Sequence, residues 1–366
     1  MKIEPYQKDA LIKYINQEGS CSSPSCEGAI ATFEKSIAEY FKRKYVLLTV
    51  NGTSALMLAY LSTGVSRNTP VIVPQYAHYA AIHPLKNITD KIIPIPVDSE
   101  TLEMNIELVG KAFKKLHNAP KPALLNVVMT GFCTNSTNLR KLCDTYDAIY
   151  IEDCSRAYLC NDDGILGTKG DVSCFSMQGS KALCAGEGGL FLTDNQSNYE
   201  HAVQLAFPGR TKHTGTINEN TFESSIYPFK LRPSPIIAVI AHSQLPYLEE
   251  RVNNSRKNLK LLADALEENM DLNVIHKESI HKKGGWKDAC IKCQDAEYAT
   301  HFVSILKNIG VQARLEFSDA FVDIDDYSIY SNLVLLEGFS GYKKADENHI
   351  NQINKIATAA KMLKGK

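Results

Sequence analysis

Residues 176–189, with the sequence SMQGSKALCAGEGG, decide how this chain is interpreted. Lys181 lies in this stretch between a hydroxyl-rich turn and a glycine-rich run. The apolar residues 172–175 come directly before it and have the character of a short buried strand. We therefore expect Lys181 to lie just beyond the end of a strand, in a loop built from small residues.

A second strand end, nearly thirty residues upstream, carries acidic side chains. Residues 149–151 form an apolar run that leads directly into Glu152 and Asp153. Ligands of open α/β sheets bind beyond the carboxyl ends of the strands, so Asp153 and Lys181 are expected at one edge. A pyridoxal phosphate enzyme needs such a pair, because the lysine forms a Schiff base and the acid holds the proton on the pyridine nitrogen.

Each residue of the pair also has an ordinary structural interpretation. Asp153 is equally suited to cap a helix or to pair with Arg156. Lys181 taken alone is a solvated surface lysine, the commonest fate of that residue type. The order and spacing of the strand ends favour the catalytic interpretation, since neither residue does so alone.

Two further strand ends carry groups that suit a phosphorylated ring. Gly52, Thr53 and Ser54 combine a glycine and two hydroxyls at a helix start, where backbone amides and the helix dipole attract phosphate. A plain helix cap is the alternative there. Residues 75–79 (QYAHY) follow another strand, and an aromatic side chain among them is placed to stack on a cofactor ring.

The alternation of strands and helices predicts an α/β fold. Its strands are continuous apolar runs, which is typical of a mainly parallel sheet covered by helices on both faces. We expect a large domain over residues 1–246 and a smaller C-terminal α/β domain over residues 247–366. The large domain is predicted to hold a seven-stranded sheet, with strands at residues 45–50, 70–74, 91–97, 123–130, 148–151, 171–176 and 189–193.

Composition narrows the class of protein. Hydrophobic residues make up 44% and charged residues 22% of the 366 residues, and the formal net charge is −1. These values favour a globular chain with no nucleic-acid partner. The chain shows no signal-peptide core and no apolar run long enough for a bilayer, so no membrane association is expected and a cytoplasmic location is predicted.

The ten cysteines are interpreted as free thiols in a reducing compartment. Cys290 and Cys293 form a CxxC pair, but no second pair follows at zinc-site spacing. No metal site is therefore expected.

These motifs together resemble those of the DegT/DnrJ/EryC1/StrS aminotransferases, the sugar-aminotransferase branch of the aspartate aminotransferase superfamily with fold type I. The resemblance covers most of the chain and is strongest over residues 28–245. Its residues are NGTSAL at 51–56, VIVP at 71–74, IED at 151–153, GTKGD at 167–171, the lysine segment ending GEGG at 186–189, and FKLRPSP at 229–235.

The resemblance implies the roles of the central residues. Lys181 matches the lysine that holds the cofactor as an internal aldimine and shuttles the proton between the amine donor and the cofactor. Asp153 matches the acid that pairs with the pyridinium nitrogen. Thr53 and Ser54, beside the close-approach Gly52, match the donors to the cofactor phosphate.

Four further positions are implied in the same way. Ser176 matches the serine that joins the phosphate donors. His78 lies where the family usually has an aromatic stacked on the ring, and Arg156 where it usually has Gln or His near the ring 3-oxygen. Lys230 lies where many members have an Asn that the neighbouring subunit donates to the phosphate. The last three are departures that affect the expected substrate more than the expected chemistry.

The resemblance implies an aminotransferase that forms pyridoxamine phosphate from pyridoxal phosphate. It would move an amine from an amino acid, glutamate or glutamine, to a keto-sugar or related keto-polyol, within a homodimer that shares its active sites. A sugar dehydratase using the same cofactor is one alternative, but its relatives replace the lysine with histidine. A non-enzymatic regulator on this fold is another, and it leaves the Lys181–Asp153 pair unexplained.

Substrate choice is expected to depend on loops. The polar residues 208–228, residues 75–79 and the region of Arg314 are the candidates. Arg314 is placed either to meet an anionic substrate group or simply at the surface.

Overall fold

The structure is a computed structural model. It describes residues 3–17, 20–23, 25–116, 120–132, 135–161, 164–207, 210, 228–269, 271–277, 289–316, 330–336 and 345–363. The predicted substrate loop at residues 208–228 lies outside this set, apart from Arg210 and Pro228.

A seven-stranded sheet forms the centre of the larger part of the molecule. In order across the sheet the strands are β1, β7, β6, β5, β4, β2 and β3, and β7 alone runs antiparallel to its neighbours. This confirms the predicted mainly parallel sheet of seven strands. The strands are β1 (Tyr45–Thr49), β2 (Val71–Pro74), β3 (Ile92–Ile95), β4 (Ala123–Val127), β5 (Ile149–Asp153), β6 (Val172–Ser176) and β7 (Gly189–Thr193).

Helices cover this sheet and form separate apolar layers with it. One layer includes α3 and α7 and the other includes α2 and α8, in agreement with a sheet that is buried on both faces. The helices of this part are α1 (Pro5–Gln17), α2 (Ala29–Phe41), α3 (Gly52–Ser62), α4 (Tyr79–Lys86), α5 (Ile106–Lys115), α6 (Ser136–Thr145), α7 (Gln196–Ala206) and α8 (Pro235–His242).

The C-terminal part contains a second, antiparallel sheet of four strands in the order β10, β11, β9 and β8. Its elements are α9 (Leu248–Leu266), β8 (Leu272–Val274), β9 (Ala289–Cys293), α10 (Ala296–Asn308), β10 (Ala313–Leu315), β11 (Leu333–Leu336) and α11 (Glu347–Leu363).

Helix α9 contributes to both parts. Leu248 and Val252 belong to an apolar cluster of the larger part, whereas Leu259 and Leu262 belong to the core beneath the second sheet. The boundary after residue 246 stays a prediction, and this helix crosses from one core to the other just beyond it.

One helix start differs from the prediction. The sequence predicts a helix over residues 102–116, but α5 begins only at Ile106, because Leu102 has a left-handed backbone (φ 57°) and Asn105 caps the helix by accepting the N–H of Leu108. Cys290 and Cys293 lie on β9, where side chains three apart point to opposite faces. Accordingly, Cys290 packs with the larger core and Cys293 with the smaller one.

None of the helices in the described ranges combines the length and the apolar character that crossing a bilayer requires. The prediction of a cytoplasmic location stays a prediction.

Candidate active site

The carboxyl ends of the parallel strands surround a cavity of about 380 Å³. Lys181 and Asp153 both line it, so the two residues that the sequence pairs are brought to one site. The other lining residues are Asn51, Gly52, Thr53, Leu56, His78, Tyr79, Ala80, Val127, Val128, Met129, Ser155, Arg156, Ser176, Gln178 and Glu187.

The glycine-rich run brings the lysine loop against the start of α3. A Cβ on Gly189 would overlap the backbone carbonyl of Asn51, and Asn51 forms an isolated parallel bridge with Gly188. The loop is closed by backbone hydrogen bonds from Met177 N–H to the Gly188 carbonyl (2.8 Å) and from Gly179 N–H to the Gly186 carbonyl (3.0 Å). The glycines are required because backbone meets backbone at this point.

The N-terminus of α3 forms one wall of the cavity. Gly52 packs so closely on Ser176 that a Cβ at position 52 would lie 2.9 Å from the Ser176 Cβ. Gly52, Thr53 and Ser176 therefore share one wall, at the positive end of a helix, where a phosphate is favoured.

Ser54 has a different place. Its hydroxyl donates to Asn51 Oδ1 (2.9 Å), which also accepts the Ser54 N–H (2.8 Å). The side chain is buried and is not among the residues that line the cavity. Its predicted contact with the phosphate stays a prediction, and in the described structure it helps to cap α3.

Asp153 is a buried carboxyl group that faces the cavity. It is 5% exposed, and its Oδ1 accepts the N–H of Ser155 (3.0 Å). Burial raises the pKa of Asp153, and the bonds from Ser155 and the charges of Lys181 and Arg156 counteract part of that rise. Such a group gains most when a cation, such as a protonated ring nitrogen, lies beside it.

The neighbouring acid points to the opposite face of β5 and is excluded from the site. Glu152 is fully buried, and four donors satisfy its carboxylate: the hydroxyls of Ser136 and Ser173 (both 2.9 Å) and the N–H groups of Lys169 (3.2 Å) and Gly170 (2.8 Å). It therefore serves to tie the GTKGD segment to the sheet.

Arg156 and His78 both line the cavity. Arg156 donates through Nη1 to the Met129 carbonyl (3.3 Å). His78 caps α4 by accepting the Ala80 N–H at Nδ1 (3.2 Å), and its ring lies 4.4 Å from the Tyr79 ring. Both are thus located at the predicted site, and their contacts with a cofactor stay predictions.

Lys230 is exposed and is not among the lining residues of its own chain. Its backbone is left-handed (φ 55°), and the residues on either side are fixed by bonds from Phe229 N–H to the Leu205 carbonyl and from Leu231 N–H to the Ala206 carbonyl (both 2.8 Å). The lysine is therefore presented outward from a rigid backbone.

Arg314 does not lie among the cavity residues either. It donates to Glu316 Oε2 (3.2 Å), and Glu316 Oε1 accepts the hydroxyl of the buried Tyr76 (3.1 Å). The network joins β10 to the segment after β2.

Sequence reasoning assigned no role to several lining residues, among them Asn51, Met129 and Ser155. Asn51 and Ser155 each lie next to a predicted site residue, Gly52 and Arg156, so their position in the sequence could have indicated that they line the cavity. Met129 gave none, since its contribution is a backbone carbonyl.

The residues present suit pyridoxal phosphate. A cavity of about 380 Å³ lies within the range of small-molecule sites. One wall is the N-terminus of α3, where Gly52 packs directly on Ser176, and a buried acid and a lysine line the same space. Across the described residues, no group of three or more metal-ligating side chains is found.

Comparisons with known proteins agree with this site. A family model described as the DegT/DnrJ/EryC1/StrS aminotransferase family matches residues 20–334. The GDP-perosamine synthase of Escherichia coli O157:H7 is 28% identical over 286 residues, which is 76% of this chain and 75% of that protein.

Two solved structures share the fold. The 3-amino-5-hydroxybenzoic acid synthase has a TM-score of 0.82 at 20% identity, covering 99% of this chain and 97% of that one. A GDP-4-keto-6-deoxy-D-mannose-3-dehydratase of E. coli, solved with bound hydrated PLP, has a TM-score of 0.81 at 18% identity, covering 98% and 97%.

The family match spans most of the chain, including every predicted site residue from Gly52 to Lys230, and it confirms the resemblance inferred from the sequence. The chain therefore belongs to the DegT/DnrJ/EryC1/StrS aminotransferase family, which makes it an aminotransferase that depends on pyridoxal phosphate.

Proposed function

We propose that this chain transfers an amino group from glutamate or glutamine to the keto group of a nucleotide-linked sugar or a related polyol. The observation that carries the proposal is that Lys181 and Asp153 line one cavity together with Gly52, Thr53 and Ser176. The relative named GDP-perosamine synthase supports a nucleotide-linked sugar as the acceptor.

The chain's own residues divide the work. Pyridoxal phosphate, when bound, supplies a conjugated ring that draws electrons from the bond being broken. Asp153 would hold a proton on the ring nitrogen, and because its carboxylate is buried, the attraction between the two charges would be stronger than in bulk water. Gly52, Thr53 and Ser176 bind the phosphate at the N-terminus of α3.

Lys181 has two tasks. Its amine would hold the cofactor through a covalent bond between turnovers. With the donor in the site, Nζ would carry the proton away from the donor Cα, and general acid–base transfer of this kind contributes about 10²- to 10⁴-fold in rate.

Arg156 and His78 tune the site. The Arg156 guanidinium is anchored on the Met129 carbonyl and lines the cavity, so its positive charge favours an ionised oxygen on the cofactor ring. His78 presents its ring from the start of α4, and the bond from Ala80 N–H to Nδ1 holds this nitrogen as an acceptor.

Lysine at position 181 favours amine transfer over dehydration. A dehydratase on this fold must leave the cofactor without a covalent bond to the protein, and a histidine in place of the lysine forms no such bond.

A test with an acceptor substrate distinguishes amine transfer from dehydration. The enzyme is supplied with nitrogen-labelled glutamate or glutamine and with keto-sugar nucleotides or ketocyclitols, and the products are analysed by mass spectrometry.

The expected result is an amino product that carries the label, one per acceptor consumed. A deoxygenated keto product with release of labelled ammonia would assign the chain to the dehydratases. Lys181→Ala is expected to give neither, and Lys169→Ala, which alters a lysine outside the cavity, is the matched control.

The site is completed by a second copy of the chain in this proposal. Lys230 points outward, and next to it Phe229 is 48% exposed. Phe229 and Tyr79, which is 50% exposed, line an apolar hollow of about 830 Å³ that adjoins the cavity through Thr53. An exposed apolar hollow of this size beside a rigid lysine suits a two-fold interface across which Lys230 reaches the partner's phosphate site.

Mixed dimers test the sharing of the site. Lys181→Ala and Lys230→Ala subunits are each expected to be inactive or weak alone. The two are then coexpressed or refolded together. If Lys230 acts across the interface, the mixed dimer contains one complete site and recovers up to about half of the wild-type activity per dimer. No recovery, or a monomer at working concentration with full activity, would contradict the shared site.

A further inference from the structure

Two polar side chains outside the cavity hold the loop that carries Lys181. Gln244 and Arg251 are far from Lys181 in sequence and are not among the residues that line the cavity. Both make hydrogen bonds to the backbone of residues 182–184, directly after the lysine.

Gln244 holds Cys184 from both sides. Its Oε1 accepts the Cys184 N–H (3.3 Å) and the Cys184 thiol (3.4 Å), and its Nε2 donates to the Cys184 carbonyl and to the Ile240 carbonyl (2.8 Å). Gln244 is fully buried. The side-chain amide of Gln244 thus bonds to backbone groups through both its carbonyl oxygen and its nitrogen. Because the amide is buried and water cannot replace these bonds, it fixes the backbone that it contacts.

Arg251 holds the residue next to the lysine. Its Nε donates to the Ala182 carbonyl (2.8 Å), and its Nη2 lies 3.9 Å from the Cys184 Sγ. It lies in the first turn of α9, where Leu248 packs in the same apolar cluster as Ala182 and Leu183. The N-terminal part of α9 and the lysine loop therefore form one packed unit.

The backbone before Lys181 is held as well. The Lys181 N–H donates to the Gln178 carbonyl (2.9 Å), and the Ala185 N–H donates to the Met177 carbonyl (2.8 Å). With the bonds from Gln244 and Arg251, the backbone on both sides of Lys181 is held in place.

We propose that Gln244 and Arg251 are positioning residues that set the place of Lys181 in the cavity. A lysine that must both bind a cofactor and carry a proton needs its Cα held, because a displacement of about 1 Å can cost about 100-fold in rate. The chemical part of this inference rests on the proposed function, whereas the mechanical part depends only on the contacts described.

The mechanical part is tested by amide hydrogen exchange on the purified holoenzyme. Arg251→Met removes the bond to Ala182 and keeps the apolar stem. The exchange rate of peptides covering residues 177–187 is expected to rise about tenfold, since opening of this loop becomes easier. Arg256→Met is the matched control, because Arg256 lies on the same helix and donates to Asn253 (3.0 Å).

The chemical part is tested by absorbance and kinetics of the same variants. Arg251→Met is expected to shift the apparent pKa of the lysine–cofactor band and to lower kcat about tenfold with little change in KM, because the binding residues are untouched. Arg251→Lys, which keeps a donor, is expected to restore most of both. Gln244→Leu is expected to change the apparent pKa of the band and kcat more than Arg251→Met does. If Gln244→Leu does not fold, the Arg251 variants alone test the positioning role.

Unchanged exchange at residues 177–187 in Arg251→Met, or equal changes in Arg256→Met, would overturn the positioning role. A faster exchange together with an unshifted band and unchanged kcat would overturn the link to Lys181. If the wild-type protein shows no lysine–cofactor band at all, the proposed function fails instead, and the exchange result still stands by itself.

Discussion

Ser176 occupies the space that a side chain at Gly52 would need, with 2.9 Å between the Ser176 Cβ and the position of a Cβ on residue 52. The contact ties the end of β6 to the first turn of α3. These two elements supply the proposed phosphate wall, so their separation determines how well a phosphate is held.

Replacing Gly52 with alanine is expected to push α3 and β6 apart. We expect cofactor affinity to fall by about tenfold or more, since each 1.4 kcal/mol of lost binding energy is a factor of ten. The measurement is the dissociation constant of pyridoxal phosphate by absorbance or fluorescence. Gly110→Ala is the control, because its Cβ would meet only Leu142 at 3.8 Å, and unchanged affinity in Gly52→Ala would contradict the account.

Asp153→Asn is expected to separate stability from activity. Burial raises the pKa of Asp153 in the folded protein. In the cofactor-free protein the ionised carboxylate therefore destabilises the fold at pH values above this raised pKa. The destabilisation shrinks as the pH falls from the raised pKa towards the ordinary pKa of an aspartate in the unfolded chain. At neutral pH the cofactor-free Asn variant should therefore unfold at a higher temperature than the cofactor-free wild type, and the difference should shrink in acid.

The same variant should lose about 100-fold or more in transamination rate, because the ring nitrogen loses its anionic partner. Thermal unfolding with the cofactor removed and steady-state kinetics with it present are the two measurements. Asp147→Asn is the control, since Asp147 forms only an exposed pair with Lys121. A less stable and fully active Asp153→Asn protein would reverse the assignment.

His276 is expected to make stability depend on pH. The ring is 6% exposed, bonds to Thr130 Oγ1 through Nε2 (2.9 Å), and lies 5.4 Å from the Phe132 ring. Burial lowers the pKa of His276 to about 4, so the unfolded chain binds the proton more readily and stability falls as pH drops from about 6.5 towards 4.

The difference between the pKa of His276 in the folded and in the unfolded chain corresponds to about 2 kcal/mol of lost stability at about pH 5 relative to neutral pH. Urea unfolding of wild type and His276→Gln at both pH values is the measurement, since glutamine keeps a bond to Thr130 without the titration. In His276→Gln the free energy of unfolding should change by about 2 kcal/mol less between neutral pH and about pH 5 than in the wild type. His301→Gln, on the exposed face of α10, is expected to retain it, and an equal loss there would contradict the explanation.

Much of the fold was predictable because parallel strands that are buried on both faces appear in the sequence as continuous apolar runs. The seven apolar runs were found within a few residues of their observed ends. Strand β9 was not predicted, because Cys290 and Cys293 form a CxxC pattern typical of metal sites, although cysteines are also ordinary buried residues of a strand. Its partner β11 (Leu333–Leu336) was not predicted either.

The site was predictable where a residue type is tied to a strand end, as for Lys181 and Asp153. It was not predictable where function depends on contacts distant in sequence. Nothing local to Gln244 or Arg251 indicates that they bind the backbone of residues 182–184. By contrast, the cap of α3 is local in sequence: Asn51 accepts the N–H and the hydroxyl of Ser54, and a helix cap was one of the two interpretations of this segment.

The central claim is that Lys181 carries the cofactor. The most direct measurement is reduction of the purified protein with borohydride, followed by proteolysis and mass spectrometry of every lysine-containing peptide. The account predicts one reduced pyridoxyl phosphate group per chain, attached to Lys181, and its loss in Lys181→Ala while Lys169→Ala retains it. Attachment to another lysine, or no attachment in protein saturated with pyridoxal phosphate, would contradict it.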